Sequence, residues 1–467
     1  MKLAELSRGI ADGRWSCRKL TAFCLEAIAE NDQSGRKLNT VAEIDPDVWF
    51  RAEAIDREIR EQGLKSPLHG IPVLLKDNID AVGLHTTAGS LALSDNLAAE
   101  DSAVAARLRS AGALLLGKAN LSEFAYFMSR DHMPSGYSSL AGQVVHAYVP
   151  GFDPLGSSSG SAVAVSARFV PYSIGTETDG SLISPAGASA IVTIKPTVGL
   201  VSRRGILPLS PMQDTAGPMG TCVEDVAAVL EVIAGYDEGD PATWNCRTAA
   251  YTQELCAGVG QLRIAIFRNS VDECGAAALD RAAAILTEAG AAVTEITPEM
   301  LYLDESTALL HEFKASLNRY LAGHGSACRS LKDIIDFNRV HAEQCLVHGQ
   351  TLLEEAEALS GRLVESEYLK ARASLRAKAR AVLDGAFRRA DVLLSAGPGP
   401  RGNLAPVAGY PCMGLPATEP DETALRPLSY YLIGPAYGES LLLRTAAVLE
   451  EALALICRPS WVKPGLF

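Results

Sequence analysis

Apolar residues recur at helical spacing over the first part of the chain and then give way to short apolar runs. Up to residue 62 the apolar positions, such as Leu3, Leu6 and Ile10, are separated by charges as in amphipathic helices. We therefore predict a helical cover over residues 1–62. From Gly70 onward, short apolar runs alternate with helical stretches, which is typical of an α/β layer structure with a buried sheet.

The same alternation continues through the second half and ends in a helix. Apolar runs bounded by polar residues predict strands at 71–75, 113–116, 262–267, 292–296, 392–394 and 428–433. Amphipathic spacing predicts helices at 102–110, 276–289 and 439–456, and a solvent-facing helical cover over 305–390. The fold class that we predict is α/β.

Composition and charge narrow the function classes. The chain has 467 residues, and 42 Lys and Arg against 55 Asp and Glu give a net charge of −13, which disfavours nucleic-acid binding. No apolar run approaches the roughly 18 residues that cross a bilayer, and the start does not resemble a secretory signal, so we expect no membrane span and a cytoplasmic location. Ten dispersed cysteines without a CxxC pair indicate neither structural zinc nor a disulfide scaffold.

Lys76 is the first residue with a candidate chemical role. It follows the apolar run of residues 70–75, so a charged group stands at the end of a strand that should be buried. One interpretation is a strand-end lysine whose ammonium reaches water. The other is a lysine whose pKa is lowered by burial, so that its neutral amine can accept a proton.

A run rich in serine and glycine, residues 156–161, is the second candidate. Small residues at a loop that enters a helix let the backbone approach a ligand, but no lysine occupies the position that a phosphate-binding P-loop requires. The run also matches G-x-S-x-G with Ser158 in the middle, which would make Ser158 the nucleophile of a Ser/His/Asp hydrolase. The last histidine is His348, in the predicted helical segment, and this counts against that alternative.

The third candidate is the run of residues 175–181, which ends on Ser181. A tight turn that contains glycine could present the Ser181 hydroxyl together with neighbouring backbone N–H groups, as the binding of an oxyanion requires. An ordinary polar turn would have the same composition. Three such features in one chain, with a candidate base and two serines, favour nucleophilic catalysis.

These runs carry a family resemblance. The segments GSSSGSAVAVSA, GTETDGSLISPA and IKPTVGLVSRRGILPLSPMQDTAGPMG resemble the amidase signature family of serine hydrolases. HGIPVLLKDNID and GKANLSEFA upstream and GYPCMGLPA downstream are similar to the same family. The resemblance covers about residues 1–456 and is strongest from 68 to 225.

The resemblance implies a fold and an assignment of residues. It implies one amidase domain over residues 1–467, with a mixed central sheet between helical layers and a catalytic core at 68–225. Lys76 matches the family's catalytic lysine, Ser157 its bridging serine with a cis peptide bond, and Ser181 its nucleophile. The oxyanion hole would then consist of backbone N–H groups around Thr178, Asp179, Gly180 and Ser181, and no metal or organic cofactor is implied.

The implied activity is amide hydrolysis through an acyl-enzyme, with a small-molecule or peptide amide as substrate. Several stretches are similar to the peptide amidase subgroup, which cleaves C-terminal carboxamides of peptides. Asp179 stands where glycine is usual in the family, and Ile183 stands where arginine is frequent. Two alternatives remain open, the amidase subunit of a tRNA-dependent amidotransferase and a non-catalytic module, and a homodimer is compatible with the sequence.

Overall fold

The structure is a computed structural model that describes residues 1–298, 302–397, 399–422 and 427–463. Its α-helices are Leu3–Ala11 (α1), Cys17–Asn31 (α2), Val48–Gln62 (α3), Ala103–Ser110 (α4), Ser159–Ser166 (α5), Ile183–Ala188 (α6), Val223–Ile233 (α7), Tyr251–Glu254 (α8), Glu273–Glu288 (α9), Ser306–Ala322 (α10), Leu331–Val340 (α11), Ala342–Cys345 (α12), Thr351–Glu357 (α13), Ser366–Phe387 (α14), Leu404–Ala408 (α15) and Glu439–Leu453 (α16). Its strands are Val41–Ile44 (β1), Pro72–Lys76 (β2), Leu114–Ala119 (β3), Tyr137–Ser138 (β4), Gly142–Gln143 (β5), Tyr172–Glu177 (β6), Val192–Lys195 (β7), Thr215–Gly220 (β8), Arg263–Ile266 (β9), Ala292–Glu295 (β10), Val392–Gly397 (β11), Cys412–Pro416 (β12) and Ser429–Ile433 (β13).

One large mixed sheet organises the molecule. Its 11 strands have the order β1-β3-β2-β6-β8-β7-β12-β13-β11-β9-β10. The pairs of β2 with β3 and β6, and of β9 with β10 and β11, are parallel, whereas the central pairs are antiparallel. Helices cover both faces of the sheet, so the predicted α/β fold with a mixed central sheet is confirmed.

The alternation of side chains along the strands divides the core into two layers. In β2, Val73 and Leu75 belong to the apolar cluster on one face, which includes residues of α1, α4, α7, α9 and α16. Leu74 between them belongs to the cluster on the other face, with residues of α2 and α5. Because successive side chains of a strand point to opposite faces, a fully apolar strand is the one that can be buried on both sides.

Two neighbouring parallel strands bring the candidate residues to one edge of the sheet. Strand β2 ends at Lys76, and its neighbour β6 ends at Glu177, four residues before Ser181. Helix α5 packs on both strands, and its first residue, Ser159, directly follows Ser157 and Ser158. The carboxyl ends of parallel strands meet at one edge, which is where α/β proteins bind their ligands.

The structure corrects two expectations about the helical covers. Residues 41–44 form β1, an edge strand antiparallel to β3, so the prediction of helix throughout 1–62 is wrong there. Residues 305–390 contain helices, but they are not solvent-facing on all sides. Phe313 and Leu317 of α10 are fully buried, and the Phe313 ring packs 4.8 Å from that of Phe127. This face of α10 belongs to a separate apolar cluster. A helix of 17 residues can bury one face and expose the other to solvent.

The other predicted elements are present, with ends that differ by a few residues. The strand predicted at 113–116 runs from 114 to 119, and the closing helix predicted to 456 ends at Leu453. Such differences are expected, because periodicity locates an element more reliably than its ends. None of the helices within the described residues has the length and apolar character needed to cross a membrane.

Candidate active site

Lys76 lies at the centre of the site. Its side chain is fully buried, and its Nζ lies 2.7 Å from Ser157 Oγ and 3.2 Å from the carbonyl oxygen of Thr176. Strand β2 runs between β3 and β6, so the end of the strand delivers the amine into the interior instead of to water. The interpretation of Lys76 as a strand-end lysine that reaches solvent is therefore wrong.

Burial changes the acid–base behaviour of this amine. Removal from water disfavours the ammonium and lowers the pKa of Lys76 from 10.5 to about 7, although the carboxylates of Glu177 and Asp214 oppose the change. A substantial fraction of Lys76 is then neutral near pH 7. A neutral amine beside a hydroxyl can accept a proton from it.

Ser157 is placed to be the partner of that amine. The Gly156–Ser157 peptide bond is cis, as the family resemblance implied, and the Ser157 side chain is fully buried. The next serine has a different environment, because the Ser158 hydroxyl donates to the carbonyl oxygen of Thr176 at 3.0 Å. Among the described residues, no histidine contacts the Ser158 hydroxyl, so the geometry offers no base for a Ser/His/Asp arrangement there.

Ser181 differs from the other two in its access to solvent. It is 7% exposed, whereas Lys76 and Ser157 are 0% exposed, so Ser181 is the one of the three that an external molecule can reach. The backbone joins the two serine loops, since the Ser158 N–H donates to the Ser181 carbonyl oxygen at 3.2 Å. Within the part of the chain that the structure describes, no hydrogen bond links the side chains of Ser157 and Ser181.

The turn before Ser181 contains several backbone donors without an acceptor among the described residues. The carboxylate of Glu177 accepts from the N–H groups of Leu182 at 2.7 Å and Ile183 at 3.1 Å, and thereby caps the start of α6. Gly180 has φ +74°, a left-handed conformation that a residue with a side chain would adopt only with strain. No acceptor among the described residues pairs with the N–H groups of residues 179–181.

Asp179 brings a second carboxyl group to this turn. Burial, together with the nearby carboxyl groups of Glu305 and Glu177, raises the pKa of Asp179 well above 3.8. The carboxyl group of Glu305 lies close enough to that of Asp179 to disfavour its ionisation, and burial raises the pKa of Glu305 as well. Glu305 immediately precedes α10, so this contact connects the turn to the helical cover.

Three polar residues of the site were not singled out from the sequence. Glu177 lies inside the GTETDGS run, and Gln213 and Asp214 lie inside the longest segment that carries the family resemblance. All three are charged or amide residues in stretches otherwise poor in charge. That composition was the available signal, but it does not indicate which groups these side chains contact.

Ile183, which stands where arginine is frequent in the family, is an apolar core residue. Its side chain is 2% exposed and packs in a cluster with Met212, Leu404 and Cys412. It therefore presents no charged group to a molecule at Ser181.

Comparison with known proteins places the chain among amidases. The sequence model of the family described as Amidase matches residues 19–409. A probable amidase of Arabidopsis thaliana is 36% identical over 473 residues, which span 96% of this chain and 89% of that protein. One of the subunits of the glutamyl-tRNA(Gln) amidotransferase of Pseudomonas syringae is 32% identical over 482 residues, 97% of each chain.

Solved structures agree with the sequence comparison. The structure of the native peptide amidase from Stenotrophomonas maltophilia superimposes with a TM-score of 0.91 at 39% identity, and the match covers 99% of each chain. An amidase family protein from Bacillus anthracis superimposes with the same TM-score, at 35% identity over 97% of this chain and 91% of that one.

Proposed function

Because the chain belongs to the amidase signature family and is an amide hydrolase, we propose that it cleaves carboxamides through an acyl-enzyme on Ser181, with Ser157 and Lys76 as its proton relay. The single observation that supports this relay most directly is the 2.7 Å distance between Lys76 Nζ and Ser157 Oγ. This contact lies in a setting that removes water from both groups.

The relay needs one member that donates and accepts at once. A serine hydroxyl has one proton and two lone pairs, so Ser157 can pass its proton to Lys76 while it receives the proton of Ser181. The first link is present in the structure, and the second would be a hydrogen bond from the Ser181 hydroxyl to Ser157 Oγ. Catalytic hydrogen bonds commonly tighten only when the substrate is bound, so the open second link is compatible with the relay.

The reaction then proceeds in two balanced halves. The oxygen of Ser181 forms a bond to the amide carbon as its proton moves to Ser157 and the proton of Ser157 moves to Lys76. Collapse of the tetrahedral intermediate breaks the C–N bond, and a proton returns through Ser157 to the departing nitrogen, which leaves as ammonia or an amine. Water repeats the sequence on the acyl group and releases the carboxylic acid.

The negative oxygen of the intermediate requires donors that do not need to reorganise. The N–H groups of residues 179–181 are the candidates for this oxyanion hole. They belong to Ser181 and the two residues before it, and none of them has an acceptor among the described residues. Loss of one such donor typically lowers kcat by about 10²–10³-fold. The family resemblance and the unpaired backbone N–H groups both support residues 179–181 as the oxyanion hole. Thr178 is the residue that begins this turn.

We propose C-terminal carboxamides of peptides as the substrate class. This choice is supported by the 39% identity, over 99% of the chain, to a structure described as a peptide amidase. The match to an amidotransferase subunit is also extensive, at 32% identity. However, Ile183 is buried and apolar, so it offers no positive charge to the acidic substrate of an amidotransferase. This favours a peptide amide hydrolase over an amidotransferase subunit.

Ammonia release from a panel of peptide amides tests the proposal. We expect Ser181→Ala to lower kcat by about 10⁴-fold or more, because no other hydroxyl can form the acyl-enzyme. Ser157→Ala should lower kcat by about 10²–10⁴-fold, since it removes the path of the proton. Mass spectrometry of the wild-type protein mixed with a slow substrate should find the acyl group on the peptide that contains Ser181.

Ser161→Ala is the matched control. Ser161 is a fully buried serine of the same loop and helix, and its hydroxyl donates to the Ile174 carbonyl oxygen at 3.4 Å, away from Lys76. It should keep kcat within a few fold of the wild type. Wild-type turnover by Ser181→Ala would refute the assignment of the nucleophile. Ammonia release that requires both a charged tRNA and a partner protein would identify a transferase instead.

A further inference from the structure

Thr178, the residue between strand β6 and the turn that carries Ser181, is held at both of its polar groups. Its hydroxyl donates to Asp214 Oδ1 at 2.6 Å. Its carbonyl oxygen accepts from Gln213 Nε2 at 3.2 Å. Two consecutive residues of another loop therefore fix the hydroxyl and the carbonyl of a single residue, and this limits rotation of the peptide that follows Thr178.

The loop that holds Thr178 is itself anchored. Asp214 Oδ2 accepts from the N–H groups of Leu209 and Ser210, both at 2.8 Å. The same carboxylate therefore stabilises its own loop with one oxygen and binds Thr178 with the other. Gln213 is fully buried, and the same Nε2 atom donates to Glu305 Oε2 at 2.8 Å. The position of the turn is thus coupled to the residue that precedes helix α10.

The other end of the turn is fixed as well. The Ser181 carbonyl oxygen accepts from the Ser158 N–H at 3.2 Å, and the Gly180 carbonyl oxygen accepts from the Ser184 N–H at 2.8 Å. Between these anchors and Thr178, the peptide N–H groups of residues 179–181 stay free of acceptors in the described part of the chain. Gly180 and Ser181 are buried residues and Asp179 is partly exposed, so a ligand oxygen beside Ser181 could accept from these N–H groups in place of water.

We propose that Gln213 and Asp214 are positioning residues that hold Thr178, so that the peptide N–H groups after it point at the oxyanion of the reaction. This inference rests on the proposed function, because it assigns a task within that reaction. In this proposal neither side chain reacts with the substrate. Their effect comes from geometry, since a fixed set of donors stabilises developing charge without reorganising, and a displacement of about 1 Å can cost about 10²-fold in rate.

A pair of substitutions at Thr178 separates positioning from bulk. Thr178→Val keeps the size and branching of the side chain but removes the hydroxyl that Asp214 accepts from. Thr178→Ser keeps the hydroxyl and removes the methyl group. We expect Thr178→Val to lower kcat for a peptide amide by about 10- to 100-fold with KM changed less than threefold, and Thr178→Ser to restore most of kcat. Gln213→Met, which removes the hydrogen bond to the carbonyl, should reproduce the loss.

Thr445→Val is the control for the loss of a hydrogen-bonded threonine hydroxyl. Thr445 is fully buried in α16, which packs against α9 and β12, and its hydroxyl donates to the Leu441 carbonyl oxygen at 2.8 Å. It should lower the melting temperature about as much as Thr178→Val does, but leave kcat unchanged. Equal melting temperatures with unequal kcat values would separate positioning from general destabilisation.

A second measurement does not depend on the choice of substrate. An alkyl fluorophosphonate phosphonylates an activated serine with loss of fluoride, and its phosphoryl oxygen needs the same donors. Thr178→Val should slow the labelling of Ser181 by about the factor found for kcat, and Thr178→Ser should restore the rate. Unchanged kcat and labelling in Thr178→Val, or failure of Thr178→Ser to restore them, would overturn the positioning role. Amide hydrolysis by Ser181→Ala would instead overturn the proposed function, so the two failures are distinguishable.

Discussion

The substitution Lys76→Met tests the central physical claim, which is that burial holds this lysine close to neutrality. Burial lowers the pKa of Lys76 from 10.5 to about 7. At about 1.4 kcal/mol for each pKa unit, placing the charged ammonium in this position costs about 5 kcal/mol relative to the unfolded chain. Methionine has a similar length and no ionisable group, so the variant lacks both this cost and the base.

The activity of the wild type should depend on pH in a defined direction. The neutral amine is the working form, so kcat/KM should rise tenfold per pH unit below 7 and level off above it. At pH 5 only about 1% of Lys76 is neutral, and the rate should fall to about that fraction of the plateau. Lys76→Met should show a loss of about 10²–10⁴-fold at the plateau.

The stability of the wild type should depend on pH as well. Between pH 7 and 10.5 the unfolded chain binds a proton at this lysine and the folded chain does not, so the free energy of unfolding falls as pH drops and rises as pH increases across this window. From pH 7 to 9 the gain is about 2 kcal/mol. Below pH 7 the lysine is charged in both states and the full penalty remains. Lys76→Met lacks this titration. The difference in the free energy of unfolding between the two proteins should therefore change by about 2 kcal/mol from pH 7 to pH 9.

The assays are ammonia release from a peptide amide between pH 5 and 9 and urea unfolding at pH 7 and 9. Lys370→Met, which removes an exposed lysine of α14, is the control and should follow the wild type in both. The change in this stability difference from pH 7 to pH 9 cancels the titration of groups that do not interact with Lys76. It also cancels the pH-independent loss of the hydrogen bonds that Lys76 makes to Ser157 and Thr176. A flat rate profile below pH 7, together with a stability difference that does not move between pH 7 and 9, would refute the reasoning.

Two further predictions concern the loop that carries Ser157 and the helix α5 that follows it. Ser158→Ala should keep at least a tenth of wild-type kcat in the ammonia assay, because its hydroxyl donates to a backbone carbonyl, whereas a loss of about 10⁴-fold would favour Ser158 as nucleophile. Gly160→Ala should lower the free energy of unfolding by several kcal/mol in urea titrations, since a Cβ would overlap the backbone oxygens of Asn120 and Thr40. Gly385→Ala, in a helix with open space around it, should instead stabilise by about 0.5–1 kcal/mol; equal effects would contradict this explanation.

Much of the fold could be predicted from the sequence, because apolar residues recur at the spacing of the buried face of each helix or strand. The fully apolar run before Lys76 predicted a strand covered on both faces, and the structure places it between two parallel neighbours. Periodicity was less informative where both kinds of element are short. The strand at 41–44 has one buried residue, and its remaining positions are partly exposed, so nothing distinguished it from the helices around it.

The sequence by itself determined the candidate residues for the chemistry and the order in which they occur. The serine-rich loops, the lysine after an apolar strand and the family resemblance are all local features, and they sufficed to identify an amide hydrolase. They did not determine contacts. Lys76 and Ser157 are 81 positions apart, and Thr178 and Asp214 are 36 apart, so neither pair is visible in any short pattern.

The tertiary structure decided these contacts through the order of the strands. Because β6 lies beside β2, the ends of two distant segments meet in the interior, and burial there lowers the pKa of the Lys76 amine. The same packing brings Gln213 and Asp214 to Thr178 and buries one face of the helices at 305–390. The hydrophobic pattern predicts that a position will be buried. Which residues it contacts depends on the surfaces that the folded chain brings together.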